Sequence, residues 1–173
     1  MKKFLSLIFV LAMVFSVAAC GGKQTYKLGM GVVVSLESTK DGAGQVDATV
    51  VTVVTDKDGK IVAARLDAVQ NKATIGTEIN VTNLETKREL GDRYGMAGKV
   101  DNNGDGIKLE WYAQADAYEA YLVGKTLADV EDFKTQFVNN HHISTDEALL
   151  NAGCTIQITG IQAVVAKSVN NAR

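Results

Sequence analysis

The stretch "VDATVVTVVTDKDGKIVAARLDAV", residues 46–69, decides the fold of this chain. Two runs rich in β-branched residues, Val46–Thr55 and Lys60–Ala68, flank the tetrapeptide Asp56–Gly59. Asp-Gly favours a hairpin turn because glycine adopts a positive φ angle without steric cost. The stretch therefore predicts two antiparallel strands joined by a tight turn.

A third run rich in β-branched residues precedes this stretch. It reads "YKLGMGVVVSLES", residues 26–38, and is followed by the polar loop "TKDGAGQ". Gly29 and Gly31 lie within it, and a glycine inside a strand marks a bulge or a close approach of another backbone. Together the three runs predict an N-terminal β-meander of three consecutive antiparallel strands.

The second half of the chain carries helical signals. A short helix or helical turn is predicted near Thr86–Tyr94, and the segment "IKLEWYAQADAYEAYLVGKT", residues 107–126, is amphipathic. Its apolar residues recur at three- and four-residue steps and end at a glycine: Trp111, Ala115, Tyr118, Leu122 and Gly124. Strands followed by helices predict an α+β fold, with a small antiparallel sheet packed against several helices.

The carboxy-terminal part of the chain predicts further helices and one strand. Two hydroxyl residues precede a carboxylate by three positions, which is the pattern of a helix cap: Thr126 before Asp129 and Ser144 before Glu147. "CTIQIT", residues 154–159, has the β-branched content of a short strand. The last helix is predicted in "GIQAVVAKSVNNA", residues 160–172, with one mainly apolar face: Ile161, Val164, Val165 and Ser168.

The first twenty residues have the pattern of a targeting segment. Lys2 and Lys3 precede the apolar run Phe4–Phe15, which is long enough for a signal peptide but short for a membrane span. Small residues then lead to Cys20 in "SVAACGGK", residues 16–23, which resembles the bacterial lipoprotein signal. In that family the cut falls just before a cysteine whose sulfur carries diacylglycerol. The alternatives are an ordinary secretory signal with an incidental cysteine, or a core helix.

The resemblance implies a chain in three parts. Residues 1–19 form the signal peptide, residues 20–26 a lipidated tether, and residues 27–173 a single domain. Acyl chains such as palmitate on Cys20 would anchor the protein to the extracytoplasmic face of the cell membrane, because each buried methylene contributes about 0.8 kcal/mol. Cys154 is then the remaining free thiol, and no internal disulfide can form.

Composition and motifs exclude several classes of protein. The formal net charge is −2, and loss of Lys2 and Lys3 makes it more negative, which argues against nucleic acid as a partner. The sequence contains no nucleophile elbow, phosphate-binding loop or zinc signature, so an enzyme with its own catalytic constellation is not indicated. We interpret the adjacent His141 and His142 as a solvated loop pair, because neighbouring side chains point apart and chelate a metal poorly.

The segment "DNNGDGIKLEWY", residues 101–112, leaves two interpretations open. Asp101, Asn103 and Asp105 occupy positions 1, 3 and 5 of a calcium loop, with Gly106 at position 6. Position 12 of such a loop requires a bidentate glutamate and holds Tyr112 here. A polar turn is therefore favoured, and a calcium site is the alternative.

Two segments resemble the FMN-binding-domain proteins. One is the hairpin with its "DGKI" turn and the glutamine that follows. The other is "NAGCTIQITGIQAVVAKSVNNA", residues 151–172, where the family has a Ser-Gly-Ala-Thr-like tetrad before a helix rich in alanine and valine. Between them, "ETKRELGDRYGM" and "EWYAQADAYEAYLVGKT" resemble the subgroup of bacterial lipoproteins linked to extracellular electron transfer. In this family a flavin transferase esterifies the phosphate of FMN to a threonine.

The resemblance implies a flavin site around the tetrad, which here spans residues 152–155 and includes Gly153 and Cys154. Thr155 is the expected flavin-bearing residue and Thr86 the alternative, whereas the residues alone indicate an ordinary strand threonine at 155. Backbone N–H groups around Gly153 are expected to approach the phosphate, helped by a helix that starts near residues 159–160. Flat apolar walls for the flavin ring are expected from four side chains, with core packing as the alternative for the tryptophan: Tyr94, Met96, Trp111 and Tyr112.

Two positions depart from the family pattern. Ala152 stands where serine is usual. Leu149 stands where an acidic residue is often found, six positions before the modified threonine. Either departure implies weaker attachment of the flavin or none.

The expected function is electron transfer rather than catalysis. The resemblance implies an FMN held as a phosphoester on a threonine, with redox chemistry supplied by the flavin and orientation by the protein. The implied partners are the membrane through the lipid anchor, the flavin transferase, and a membrane quinone or NADH reductase as electron donor. The alternative is a flavin-free, lipid-anchored binding protein for a small ligand or a partner protein.

Overall fold

A computed structural model describes residues 24–38, 43–75, 79–82, 84–99, 107–138 and 141–173. The predicted lipoprotein signal with Cys20 and the candidate calcium loop at Asp101–Asp105 lie outside these residues, so both stay predictions. Within the described ranges, no helix combines the length and apolar character that crossing a membrane requires.

Within the described residues, the larger sheet has four antiparallel strands in the order in which they occur along the chain. They are β1 Lys27–Ser38, β2 Ala43–Thr55, β3 Ile61–Ile75 and β4 Ile79–Thr82. The predicted three-stranded meander is therefore confirmed. Strand β4, which pairs only with the last four residues of β3, was not predicted, and β3 extends to Ile75, beyond its predicted end at Ala68.

The turn between β2 and β3 follows the prediction. Asp56 Oδ1 accepts hydrogen bonds from the N–H groups of Asp58 and Lys60, both at 2.9 Å. Gly59 has a φ of +79°, a conformation that side chains other than glycine's rarely adopt. The turn is therefore specified locally, by an aspartate that satisfies two backbone donors and a glycine that permits the reversal.

Five helices and a small second sheet follow the meander in the described chain. The helices are α1 Lys87–Leu90, which continues into a 3₁₀ turn at Gly91–Tyr94, α2 Trp111–Leu122, α3 Leu127–Glu131, α4 Glu147–Asn151 and α5 Ile158–Asn170. The second sheet pairs β5 Thr135–Val138 with β6 His141–Ser144 in antiparallel fashion. This arrangement confirms the α+β fold class.

Two of the helix starts carry complete capping boxes. Thr86 caps α1 and Thr126 caps α3, and in each case the residue three positions later returns a bond to the cap's backbone N–H. The predicted cap at Ser144 is wrong. Asp146 caps α4 by accepting from the N–H groups of Ala148 and Leu149, while Ser144 belongs to β6.

Two further local predictions are also wrong. Residues 154–157 form the connection between α4 and α5 rather than a strand. The N–H of Cys154 donates to Leu149 O, and the N–H of Thr155 donates to a side chain of α2, so neither N–H is free for a strand ladder. His141 and His142 lie in β6 rather than in a loop, although both side chains are exposed.

The core lies between one face of the larger sheet and the two long helices α2 and α5. Val51, Val53 and Leu66 of the sheet are fully buried against Tyr118 of α2 and Val165 of α5. The helix face predicted for the last segment is confirmed, since α5 buries the four expected residues and also Ile158.

The two glycines of β1 mark a close approach rather than a bulge. A Cβ added at Gly31 would lie 2.4 Å from Val164 O, and one added at Gly29 would lie 2.0 Å from Ser168 O. Side chains cannot occupy these positions because both obstructing atoms belong to the backbone of α5. The glycines therefore set how closely α5 packs on the sheet.

Candidate functional site

A cleft of about 930 Å³ opens between the sheet, the β5–β6 hairpin and the N-terminal end of α5. We call it the Thr155 cleft. Five of the residues predicted for the flavin site line it: Tyr94, Met96, Trp111, Gly153 and Thr155. The volume lies within the range of roughly 300–1,000 Å³ that small-molecule and cofactor sites occupy. The fold therefore brings together residues that are widely separated in the sequence.

Thr155 is exposed in the connection between α4 and α5. Its backbone N–H donates to Gln114 Oε1 at 2.8 Å, and its Oγ1 lies 3.3 Å from the same oxygen. Gln114 is completely buried on α2. Thr155 thus presents an accessible hydroxyl, and its backbone is held by a side chain of α2.

Gly153 ends α4 and lies close to Leu109, in the loop before α2. Its φ is +81°, and its N–H donates to Leu150 O at 2.9 Å while the N–H of Cys154 donates to Leu149 O at 3.1 Å. This pair of bonds is a Schellman motif, the usual glycine ending of a helix. A Cβ at Gly153 would lie 2.7 Å from Leu109 Cδ1. The N–H groups of residues 153–155 all donate within the protein, so other donors must serve a bound phosphate.

The N-terminus of α5 supplies such donors. The helix starts at Ile158, one residue before the predicted range, and the side chain of its N-cap residue Gln157 does not cap it. Its first turn contains no acidic residue, and Gln157 and Gly160 line the cleft. The first N–H groups of a helix have no intrahelical acceptor and carry a partial positive charge. The end of α5 nearest to Thr155 therefore favours an anion.

One wall of the cleft combines aromatic rings with a cation. Lys87 Nζ lies 5.0 Å from the centre of the Tyr94 ring and 5.5 Å from the centre of the Trp111 ring. All three residues line the cleft, together with Lys108. Trp111 is 5% exposed and also belongs to the core, so the flavin-wall and core interpretations of this residue are compatible. Such a wall suits a flat ligand that carries negative charge.

Glu110 positions the methionine of the cleft. Its two carboxylate oxygens accept from the backbone N–H groups of Met96 and Ala97, each at 2.9 Å. The residue immediately precedes α2, so this clamp joins the Met96 loop to the start of that helix. Tyr112, in contrast, does not line the cleft, and its hydroxyl donates to Asp92 Oδ1 at 3.2 Å.

Two of the expected site residues lie elsewhere. Thr86 is not a lining residue of the cleft, and its Oγ1 accepts from the N–H of Glu89 at 3.1 Å as the cap of α1. Cys154 is fully buried, and this burial raises the pKa of its thiol to about 11. Both side chains therefore serve the structure around the cleft rather than its surface.

Sequence reasoning missed Gln114, although a signal for it exists. A glutamine stands beside Trp111, Ala115 and Tyr118 in the buried face of α2, where an apolar residue is the norm. Its Nε2 donates to Leu109 O at 2.9 Å and lies 3.6 Å from Met96 Sδ. Gln114 thus connects three segments that border the cleft. Among the described residues, no group of three or more His, Cys, Asp or Glu side chains could hold a metal ion.

Fold and cleft define this protein as a small α+β domain with a ligand-sized site beside an exposed threonine. The sequence is similar to a chlorophenol reductase of Desulfitobacterium hafniense, with 30% identity over 105 residues. The match covers 51% of this chain and 31% of the reductase, so the chain spans less than a third of the length of that relative. No family model and no solved structure matches the sequence.

Proposed function

We propose that this protein carries electrons through FMN esterified to Thr155, at the extracytoplasmic face of a membrane to which lipid on Cys20 anchors it. The observation that carries the proposal is the position of Thr155. Its exposed side chain lines a cleft of about 930 Å³, three residues before the N-terminus of α5. A phosphate bonded to this hydroxyl would lie beside the partial positive charge of a helix end.

The residues of the Thr155 cleft fit FMN chemically. Trp111, Tyr94 and Met96 offer apolar and aromatic surface for a planar ring, and Lys87 and Lys108 offer positive charge for an anionic group. The bound flavin would supply one- and two-electron redox chemistry. The protein would orient it, limit its contact with water and prevent its loss from the cell surface.

Thr155 is a better attachment point than Thr86. Attachment adds FMN less one water to the protein, and it requires a hydroxyl that can leave its own hydrogen bonds. The Thr86 hydroxyl accepts the N–H of Glu89 in a capping box, and loss of such a cap costs about 1 kcal/mol. Thr155 is exposed, and its Oγ1 has one long contact of 3.3 Å.

The similarity to a chlorophenol reductase supports a redox role. A reductase must receive electrons, and the region shared with this chain amounts to less than a third of that protein. A domain that holds a redox cofactor is one part of a reductase that a separate protein could also use. On this proposal a membrane quinone or NADH reductase supplies the electrons, and a flavin transferase loads the domain.

The proposal is tested by producing the full chain with and without a flavin transferase and measuring the intact mass. We expect wild type to gain the mass of FMN less water only when the transferase is present. Thr155→Val should abolish the gain. Thr86→Val should retain it, and so should Thr145→Val, which removes another exposed hydroxyl. A colourless wild type, or a flavinylated Thr155→Val variant, would contradict the proposal.

The same cleft supports a second candidate, a lipid-anchored binding protein without flavin. Lys87 above two aromatic rings suits a small, flat, anionic ligand held without a covalent bond. This candidate predicts no mass gain with the transferase. It predicts instead that an aromatic carboxylate raises the melting temperature of wild type, and that Lys87→Met removes the rise.

A further inference from the structure

Gln114 is a polar residue on a helix face that otherwise carries apolar residues into the core. It is fully buried in the face of α2 that carries Ala115 and Tyr118 into the core. Burial of an amide is unfavourable unless its donors and acceptor are all bonded. A leucine or methionine would fill the same space without this requirement, so the amide group itself calls for an explanation.

The partners of Gln114 determine which way its amide points. Leu109 O can only accept, so it faces Nε2, at 2.9 Å. The backbone N–H of Thr155 can only donate, so it faces Oε1, at 2.8 Å. Amide orientation follows from such partners. The amide oxygen of Gln114 is thereby directed at Thr155.

This oxygen also receives the hydroxyl of Thr155. Oγ1 lies 3.3 Å from Oε1, and since an amide oxygen cannot donate, this contact is a hydrogen bond when the hydroxyl hydrogen points towards α2. A hydroxyl has one hydrogen and two lone pairs. With its hydrogen directed towards Gln114, Oγ1 keeps lone pairs for a group approaching from the cleft.

We propose that Gln114 is a positioning residue for flavin attachment, holding Thr155 so that Oγ1 presents a lone pair to the incoming phosphorus. This inference rests on the proposed function. In the attachment step a bond forms between Oγ1 and the flavin-side phosphorus of a flavin dinucleotide. The phosphoanhydride bond of the dinucleotide breaks, a nucleoside monophosphate leaves, and the hydroxyl proton passes to a base of the transferase. The amide oxygen of Gln114 accepts from the backbone N–H of Thr155 throughout, gives up the hydrogen bond from the hydroxyl when that proton leaves, and takes no proton.

A purely structural role for Gln114 makes a different prediction. If the residue only stabilises the junction of α2 with its neighbouring loops, attachment should slow in proportion to lost stability, whichever residue is changed. If it positions Thr155, attachment should slow even where the domain stays folded. The two roles are separated by comparing attachment rates with stability across variants.

The experiment uses the full chain, purified without flavin, with a flavin transferase and flavin adenine dinucleotide. The initial rate is read from protein-bound flavin fluorescence and intact mass, and stability from urea unfolding. Gln114→Met keeps the shape and loses both halves of the amide, and we expect attachment to slow by about 10- to 100-fold, as misplacement of a reacting group does. Leu122→Ala is the control, since it removes a buried side chain of the same helix that does not contact the Thr155 cleft. We expect it to lose stability and keep the rate.

Gln114→Glu separates the acceptor from the donor. An ionised carboxylate still accepts from Thr155 but cannot donate to Leu109 O. The protonated carboxyl can do both, since its O–H can donate to Leu109 O while its other oxygen accepts from Thr155. We therefore expect its attachment rate, relative to wild type at each pH, to fall as the new carboxyl ionises and is repelled by Leu109 O. This measurement tests the role of Gln114 even if Gln114→Met fails to fold. A ratio of variant to wild-type attachment rates that does not change with pH would overturn the inference.

The remaining outcomes also show whether Gln114 positions Thr155. If Gln114→Met attaches FMN as fast as wild type, or if Leu122→Ala is slowed by the same factor, Gln114 does not position Thr155. If wild type itself acquires no FMN, the proposed function fails and the inference falls with it. If wild type acquires FMN and Gln114→Met acquires it at the same rate, the proposed function stands and only the role of Gln114 is rejected.

Discussion

The two faces of the larger sheet have similar apolar residues and opposite environments. On the face covered by α2 and α5, Val51 and Val53 are completely buried. On the other face, Leu28 is 61% exposed and Leu36 is 78% exposed. Composition alone therefore does not tell which face of these strands packs against helices. The distinguishing residues are the glycines of β1, which lie only on the helix face and leave room for the backbone of α5.

The helices protect the edges of the sheet as well as one face. At the outer edge of β1, Lys167 Nζ donates to Val32 O at 2.7 Å and Asn171 Nδ2 donates to Met30 O at 3.0 Å. On the side of β3 away from β2, among the residues that β4 does not reach in the described chain, Glu119 Oε1 accepts the N–H of Leu66 at 2.6 Å. Unpaired edge groups invite pairing with other chains. Side chains of α2 and α5 reduce that opportunity here.

The largest effect is expected where the helix-covered face has no room. Gly31→Ala places a Cβ 2.4 Å from Val164 O and 2.9 Å from Ser168 N, and neither backbone atom can move without shifting α5. We expect a loss of about 4 kcal/mol or more of unfolding free energy. Gly44→Ala, the same change at a strand position with nothing within 4 Å, should stay within about 1 kcal/mol of wild type. Urea unfolding monitored by circular dichroism measures both, and equal effects would contradict the assigned packing.

How much of this comparison the sequence predicts depends on how local each signal is. The Asp56–Gly59 turn and the cap at Thr126 were predicted because the partner atoms lie within four residues. The segment at 154–159 was predicted as a strand from its β-branched content. The bond that removes the N–H of Thr155 from any ladder comes from Gln114, 41 positions away. Local patterns cannot contain such a partner.

The candidate site shows the same difference between what the sequence predicts and what only the fold reveals. Thr155, Met96 and Trp111 were proposed from a resemblance, and the fold brings them to one cleft. The expected phosphate donors at Gly153 are engaged in ending α4, a role that a glycine after a helix commonly has. The helix start expected near residues 159–160 lies at Ile158, and its N-cap residue Gln157 makes no side-chain cap.

The next effect compares one substitution on both faces. Leu66→Ala removes a side chain that is 1% exposed and packs in the core, and we expect a loss of about 3 kcal/mol. Leu36→Ala removes the same atoms from the sheet face that the helices do not cover, which we call the open face. The Leu36 side chain is 78% exposed there, and its loss should change stability by less than about 0.5 kcal/mol. Thermal and urea unfolding of the pair test the difference. A similar loss in both variants would mean that the open face is covered.

A smaller effect is expected from the buried polar contact under α5. Ser168 is fully buried, and its Oγ lies 2.9 Å from Gly29 O and 3.0 Å from Val51 O. Ser168→Ala leaves these carbonyls without that donor, and we expect a loss of about 1–2 kcal/mol. Ser35→Ala, at an exposed position of the same strand as Gly29, is the matched control and should be neutral. If both variants have the same unfolding free energy as wild type, the Ser168 hydroxyl contributes nothing to the packing of α5 on the sheet.

The smallest effect is expected from polar substitution of the open face itself. Met30 is 58% exposed and Val34 is 62% exposed, and both side chains share the open face of β1. The double variant Met30→Thr/Val34→Thr keeps good β-forming residues, so we expect the unfolding free energy to change by less than about 0.5 kcal/mol. Urea unfolding of the full chain measures this. A loss above about 1 kcal/mol would show that this face is covered, because exposed side chains that pack against nothing cannot stabilise a fold by that amount.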